Sequence, residues 1–248
     1  MIVNYTEAGW QIITQRSHGL LAAQLCAQWQ TKRRPMRWME TLIATAEHDD
    51  VFNEFDNSDL LDANGAPLNF KDTRFEAEMA QRLIDMAATK STYIALLISK
   101  HIQFVYGSDP KATTFIKKLH RLEKKWLNIA GTTATEVSKS YDLLEFCDAF
   151  SLLLCQGMIQ PESRRIEIST GPDQRHYEMY LKDEKLIVTP WPFETNSFKV
   201  GYETRVLKQL SFKNTSEFKS MIKKAEVTTH WITLGNASES TSIVPKDK

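Results

Sequence analysis

The chain has 248 residues, of which 42% are hydrophobic and 25% charged, a composition typical of a soluble globular protein with a sizeable core. Its 31 basic and 31 acidic residues cancel, so no net field favours nucleic acid or an anionic membrane surface. No apolar run approaches the roughly 20 residues that span a bilayer, and the first residues lack the basic and apolar regions of a signal peptide. We therefore expect neither a nucleic-acid partner nor a membrane.

The cysteine count indicates a compartment. Cys26, Cys147 and Cys155 lie in apolar segments, without the spacing of a metal-binding or redox CxxC motif. An odd, buried set indicates reduced thiols and a cytoplasmic protein. None of the three has a basic neighbour in sequence that would favour a thiolate, and no GxSxG, P-loop or GxGxxG motif is present.

The first 50 residues predict a hairpin and two helices. Alternation at Val3 and Tyr5, with a turn at 7–9, predicts a hairpin over residues 2–14. Ser17 is the predicted N-cap of a helix that runs to about Trp29 and turns His18 inward from its first turn. A second helix begins near Arg37 and leads to the segment 45–50, Thr-Ala-Glu-His-Asp-Asp.

Residues 53–72 form a polar connection that leaves two interpretations open. Long loops in compact domains are often functional, so this segment either borders a site or is a solvated crossover. Apolar positions at helical spacing then predict four more helices, one starting at Ser91 and one running from about Thr135 to Gln156.

After Gly157 the pattern changes to the alternation of β-strands. Short alternating runs from Ile166 to Tyr202 predict an antiparallel sheet, followed by one helix near Phe218 and a last strand through Trp231. We therefore predict an α+β protein with a helical core over residues 1–157, which includes the short hairpin, a smaller antiparallel β-rich part over 158–234, and a mobile end over 235–248.

Four predicted helices each carry a candidate ligand on the inward face: His18, His48 with Asp49, His101 and Asp148. Imidazole and carboxylate groups together suit a divalent transition metal. A carboxylate on an apolar helix face, such as Asp148, is costly unless it is paired or metal-bound. One inward histidine alone is usually a hydrogen-bonded core residue, and Asp148 alone could pair with a basic side chain. Five such residues on four helices favour a shared metal or polar site.

The remaining polar and aromatic features favour structural roles. His120 and the basic stripe 117–125 predict a solvated helix face, while His176 and His230 lie in predicted strands. The segment 189–193, Thr-Pro-Trp-Pro-Phe, either walls a pocket or is a rigid turn that fills the core, and we favour the second.

Several segments resemble a bacterial family known only as domain of unknown function 3891. They are MIVNYTEAGWQIITQRSHGLLAAQLCAQW at the start, then AEHDD, LLISKH, CDAFSLLLC and the late TPWPF. The order His, His-Asp, His, Asp on successive helices also resembles the HD-domain superfamily of metal-dependent phosphohydrolases. That resemblance implies an HD-like all-α helical bundle as the core, with a divalent metal held by His18, His48, Asp49 and Asp148.

The implied function is hydrolysis of a phosphoester, with a nucleotide as one candidate substrate. His101 is either a fifth ligand or an acid/base group, and Asp49 and His101 are the expected catalytic residues. Arg16, Arg74 and Lys100 are candidates to neutralise substrate phosphate. Fe, Mn, Zn, Ni and Mg all remain candidate metals, and the oligomeric state is open. The alternative is a non-catalytic scaffold of the same kind that binds a small ligand or a partner protein.

Overall fold

The computed structural model describes residues 1–56 and 60–237 of the chain. Most of the predicted mobile end, from residue 238 onward, therefore lies outside the described residues, as do residues 57–59 of the polar connection. Within the described ranges there are seven α-helices, namely α1 (Gln15–Ala27), α2 (Trp38–Glu47), α3 (Ala77–Ala88), α4 (Thr92–Tyr106), α5 (Thr113–Ala130), α6 (Ala134–Cys155) and α7 (Thr215–Lys224). There are also seven strands, namely β1 (Ile2–Thr6), β2 (Gly9–Ile13), β3 (Ile166–Thr170), β4 (His176–Lys182), β5 (Lys185–Thr189), β6 (Ser197–Leu207) and β7 (Val227–Asn236).

All seven strands belong to one sheet, in the order β1-β2-β6-β7-β5-β4-β3. The predicted N-terminal hairpin is present, and its second strand pairs antiparallel with β6, opposing Ile12 to Arg205. Neighbouring strands are antiparallel except for β5 and β7, which run parallel with Ile187 opposite Gly235. The sheet thus joins the first residues of the chain to strands formed almost 200 residues later.

The predicted fold class, an HD-like all-α bundle followed by a smaller antiparallel β-rich part, is wrong. The protein is a mixed α/β structure, because the N-terminal hairpin belongs to the same seven-stranded sheet as the later strands. Two helices also pack on that sheet, α1 against β6 and α6 against β3. The β part is large, and the sheet is mixed rather than purely antiparallel.

Helix α1 begins earlier than the sequence pattern predicted. Thr14 is its N-cap, in extended conformation, and the Thr14 side chain accepts a hydrogen bond from the Ser17 amide. Ser17 therefore lies in the first turn, three residues after the cap, which is the usual spacing for this hydrogen bond. The start of α1 follows directly from β2, so the sheet fixes where His18 lies.

Other predicted helix starts agree with the structure. Ser91 caps α4 through a hydrogen bond from the Tyr93 amide. Thr133 and Glu136 form a capping box at the start of α6, in which each side chain accepts from the other residue's backbone amide.

The larger core lies between the sheet and helices α1 and α6. Trp29, at the end of α1, is fully buried and makes edge contacts with Phe146 of α6 and with Phe193. Phe193 belongs to the Thr-Pro-Trp-Pro-Phe segment, which also forms a β-bridge with Trp29. This segment fills the core, as the favoured interpretation predicted.

A second core surrounds α4. Helices α3, α5 and α6 pack around it with buried aliphatic residues such as Leu83, Ile98 and Leu144. No helix among the described residues is both long enough and apolar enough to cross a membrane.

Candidate metal centre

Four helices bring their polar side chains to one point between the two cores. His18 lies in the first turn of α1, His48 is the C-cap of α2, and Asp49 follows it. His101 lies near the end of α4, and Asp148 in the second half of α6. All five residues predicted as ligands therefore converge, and the three histidines and Asp148 are buried.

The tightest part of this cluster is a triangle of three ligand atoms. His18 Nε2 lies 3.0 Å from His48 Nε2. Oδ1 of Asp148 lies 3.1 Å from the first of these nitrogens and 3.3 Å from the second. The three atoms are thus almost equidistant, and each comes from a different helix.

Hydrogen bonds on the far side of each ring determine where its proton lies. His48 Nδ1 is 2.8 Å from the Thr45 carbonyl oxygen, which can only accept, so Nδ1 carries the proton. The Ser151 hydroxyl donates to the Asp148 carbonyl at 2.9 Å and lies 2.6 Å from His18 Nδ1. When that hydroxyl donates to the carbonyl, Ser151 Oγ accepts from His18 Nδ1. In this tautomer both neutral histidines direct an unprotonated Nε2 into the triangle.

The triangle consequently holds three electron-pair donors that face one another. Oδ1 of Asp148 is buried and has no hydrogen-bond partner among the described residues. Lone pairs held about 3 Å apart repel unless a proton or a cation lies between them. Ligand atoms about 2.1 Å from one ion are about 3.0 Å apart at octahedral corners and about 3.4 Å apart at tetrahedral corners. The three observed separations lie within this range, so the residues fit a divalent metal.

Protonation behaviour shows the same demand for positive charge. Burial opposes a charge on His48, but Asp148 and Asp49 outweigh this effect and raise the pKa of His48 to about 9. Burial favours the neutral form of Asp148, yet His48 and His18 hold the pKa of its carboxyl well below the ordinary value. In the metal-free protein a proton on His48 thus supplies the charge that the carboxylates require.

Asp49 lies slightly farther from the triangle, and its two carboxylate oxygens have different neighbours. Its Oδ2 is 3.7 Å from His48 Nε2 and 3.9 Å from His18 Nε2, and it accepts a hydrogen bond from Gln15 Nε2 at 2.8 Å. Its Oδ1 is 3.6 Å from His101 Nε2. Burial alone would raise the pKa of Asp49, but His48 and His101 lower it to about 2.

His101 is held more loosely than the other two histidines. Its Nδ1 lies 3.5 Å from the Tyr141 hydroxyl, at the outer limit of a hydrogen bond. Its Nε2 is near Asp49, and a ring nitrogen of His101 lies within 4.8 Å of ligand atoms of both His48 and Asp148. Both His101 and Asp49 line two adjoining cavities, of about 270 Å³ and 110 Å³, whereas Asp148 lines the smaller one alone.

The three predicted phosphate-binding cations have different surroundings. Arg74 is exposed and lines the larger cavity. Arg16 donates to the Asp50 carbonyl and pairs with the Asp50 carboxylate at 3.3 Å, so it is committed to the turn after α2. Lys100 lines neither of these cavities. Only Arg74 is brought to the cavity beside the cluster.

A comparison with protein families identifies the chain. Residues 1–209 match the family described as Protein of unknown function (DUF3891). The chain belongs to that family. No curated protein and no solved structure matches the chain. The description of the DUF3891 family names no activity. The likeness to HD-domain phosphohydrolases stays a prediction that rests on ligand order.

The sequence pattern did not identify the residues that hydrogen-bond to the candidate metal ligands and orient them. Ser151 lies one helical turn after Asp148 on the same face, and Gln15 lies one turn before His18. That three-residue spacing was a usable signal, since helix neighbours at this distance face the same way. Gln15 also has a buried Oε1 without a hydrogen-bond partner among the described residues, although its Nε2 orients Asp49.

Proposed function

We propose that this protein is a metal-dependent hydrolase of phosphoesters, with a nucleotide as one candidate substrate. The observation that carries the proposal is the meeting of three potential ligand atoms, His18 Nε2, His48 Nε2 and Asp148 Oδ1, which lie 3.0 to 3.3 Å from one another. Buried donors of this kind are found where a cation is bound. The adjoining cavity gives a substrate access to Asp49 and His101.

His18, His48, Asp148 and Asp49 would hold the metal. A bound divalent metal would lower the pKa of water toward neutrality and polarise the phosphoryl oxygen. Two or three imidazoles favour Fe, Mn, Zn or Ni over Mg, which prefers an all-oxygen site. Both histidines have Nδ1 engaged by an outer partner, the Thr45 carbonyl or the Ser151 hydroxyl, which orients the rings as Nε2 ligands.

The cavity-facing residues have the chemistry for proton transfer. When water attacks phosphorus, a P–O bond forms, the ester P–O bond breaks, and the water loses a proton. Asp49 is ionised at neutral pH, and its Oδ1 would accept that proton while Oδ2 faces His48 and His18. His101, 3.6 Å from Asp49 and lining the same cavity, would return a proton to the departing ester oxygen. Arg74 supplies positive charge on the cavity side.

A ligand-binding role without catalysis is the second candidate. The observation in its favour is the wall of the larger cavity, which is mostly apolar and includes Val51, Leu83 and Ile102. Such a wall is typical of sites that bind small molecules. In that case the metal, or a proton on His48, would only stabilise the scaffold.

The deciding experiment combines metal loading with turnover. The purified protein is stripped with a chelator, reloaded separately with Mn, Zn, Fe, Ni or Mg, and assayed on p-nitrophenyl phosphate, bis-p-nitrophenyl phosphate and nucleoside monophosphates. We expect at least one loaded form to hydrolyse one of these classes, and Asp49→Ala to reduce turnover by at least 100-fold. Stoichiometric metal without turnover on any substrate would favour the ligand-binding role.

A further inference from the structure

The larger cavity beside the cluster has an apolar wall, which metal coordination alone does not require. It lies between α3, the end of α4 and the turn after α2. Its apolar lining consists of Val51, Phe52, Met79, Ala80, Leu83, Ile102 and Val105, with the ring of Tyr106. This wall begins at His101 and Asp49, so an occupant that reaches the cluster also contacts it.

The charges around the cavity disfavour a polyanion. Arg74 is the one cation among the described lining residues, and it forms no ion pair with another described residue. Asp56 and Glu76 line the same cavity and carry negative charge, in addition to Asp49. A triphosphate or a nucleic-acid backbone would need several cations here, because each unpaired phosphate charge would face these carboxylates.

The volume sets the size of the organic group. An apolar protein cavity of about 150 Å³ holds one benzene molecule. At about 270 Å³, this cavity has room for one or two rings with a phosphoryl group at the cluster end. Tyr106 keeps its hydroxyl proton, because burial and nearby Asp49 and Glu76 raise its pKa to about 12, and this hydroxyl can therefore donate a hydrogen bond.

We propose that the preferred substrates are phosphate monoesters with a compact apolar or aromatic organic group, bound with that group against the wall from Val51 to Val105 and the phosphoryl group at His101 and Arg74. This inference rests on the proposed phosphoesterase function and specifies its substrate class. Polyphosphates and nucleic acids are poor ligands because, beyond the metal that Asp49 would help to hold, the cavity offers one arginine against the carboxylates of Asp56 and Glu76.

Non-hydrolysable phosphonates test the wall without catalysis. Phenylphosphonate and 1-naphthylphosphonate are compared with methylphosphonate and tripolyphosphate by calorimetry on the metal-loaded protein. We expect the aryl compounds to bind at least tenfold more tightly than methylphosphonate, because only they bury a ring. Equal affinities for aryl and methyl compounds, or tighter binding of tripolyphosphate, would overturn the proposal.

Two variants alter the wall and a third is the matched control. Ala80→Phe fills the cavity from α3, and Val105→Asn makes a half-exposed wall position polar without adding charge. Both should reduce the aryl preference to less than threefold, with unchanged metal content and methylphosphonate affinity. Ile129→Asn makes the same kind of change at an exposed position of α5 outside the cavity and should retain the full preference. An aryl preference that survives Val105→Asn in a folded protein would contradict the assignment.

Turnover then separates this inference from the function on which it rests. Hydrolysis of phenyl and naphthyl phosphates in preference to glycerol phosphate supports both proposals. Efficient hydrolysis confined to polyphosphates or nucleic acid keeps the hydrolase and overturns the substrate class. Aryl-selective phosphonate binding without hydrolysis of any ester supports the cavity's specificity and overturns the hydrolase.

Discussion

His18 and His48 face each other through their Nε2 atoms at 3.0 Å, while Nδ1 of each ring is engaged by Ser151 or by the Thr45 carbonyl. When both rings are neutral and protonated at Nδ1, they cannot satisfy each other, because the facing nitrogens are both acceptors. Asp148 adds a third acceptor to the same space. The cluster thus requires a positive charge, which either a metal ion or a proton on His48 supplies.

Removing His48 should abolish metal binding. We expect near-stoichiometric Fe, Mn, Zn or Ni in the purified protein, and less than a tenth of an equivalent in His48→Ala and in the His48→Ala, Asp49→Ala double variant, because a buried three-donor face is lost. Elemental analysis measures both. His120→Ala, at an exposed histidine of α5, should retain full metal. Unchanged metal in the double variant would refute the site.

Ser151→Ala should weaken metal binding while the protein stays folded. The hydroxyl lies 2.6 Å from Nδ1 of His18, so without it the ring loses the hydrogen-bond partner that orients it. We expect the dissociation constant for Zn to rise about 10- to 100-fold, measured by competition with a chromogenic chelator. Ser140→Ala is the control, since Ser140 is buried in the same helix but bonds Tyr93. Equal effects of the two variants would indicate loss of packing alone.

Local pattern was sufficient to predict which polar residues converge, since helical spacing placed all five on inward faces of four helices. It also found the Ser91 cap and the N-terminal hairpin. At the start of α1 the pattern offered two hydroxyl residues three positions apart, and only the geometry distinguishes the cap, Thr14, from the amide donor, Ser17. The identity of the cap depends on where the preceding strand ends.

The sheet could not be predicted in the same way. Period-two alternation identifies strands but does not specify partners, and both the pairing of β2 with β6 and the parallel pair β5–β7 are long-range. The hairpin was assigned to the helical part because it is adjacent in sequence. Arg16 was expected near phosphate on charge alone, while its actual partner, Asp50, depends on the turn after α2.

The stability of the metal-free protein should fall as the pH rises through about 9. The pKa of His48 is raised from 6.5 to about 9 in the folded protein, so the stabilisation from its proton is fully present below pH 6.5 and is lost above pH 9. This rise in the pKa of His48 corresponds to about 3 kcal/mol of folding stability. Urea unfolding in the presence of a chelator, at pH 6 and 9.5, measures this loss for the wild type and for His48→Gln, which should lack it.

Metal loading should remove that trend. A metal binds the deprotonated imidazole, so its affinity increases as the pH rises towards 9, and the loaded protein should not lose stability between pH 6 and 9.5. The same urea series with saturating Zn or Mn provides the comparison. Identical pH profiles with and without metal would show that no metal competes for the His48 proton.

Phe193→Ala should destabilise the protein by about 3 to 5 kcal/mol, because it leaves a large cavity beside Trp29 and Phe198. The matched control is Phe104→Ala, an exposed phenylalanine of α4, for which we expect less than about 1 kcal/mol. Urea unfolding at pH 7 measures both. A small effect of Phe193→Ala would contradict a core role for the Thr-Pro-Trp-Pro-Phe segment.

The pairing of β2 with β6 also sets the order in which the chain can assemble on the ribosome. β2 leads directly into the helix that carries His18, yet its sheet neighbour emerges only after residue 197 has been synthesised. Until then the hairpin is an unsupported edge, and two-stranded hairpins are marginal alone. Helices α2 and α6 can pack on the helix of His18 earlier, but the sheet that supports the first turn of that helix is complete only when β6 has joined β2.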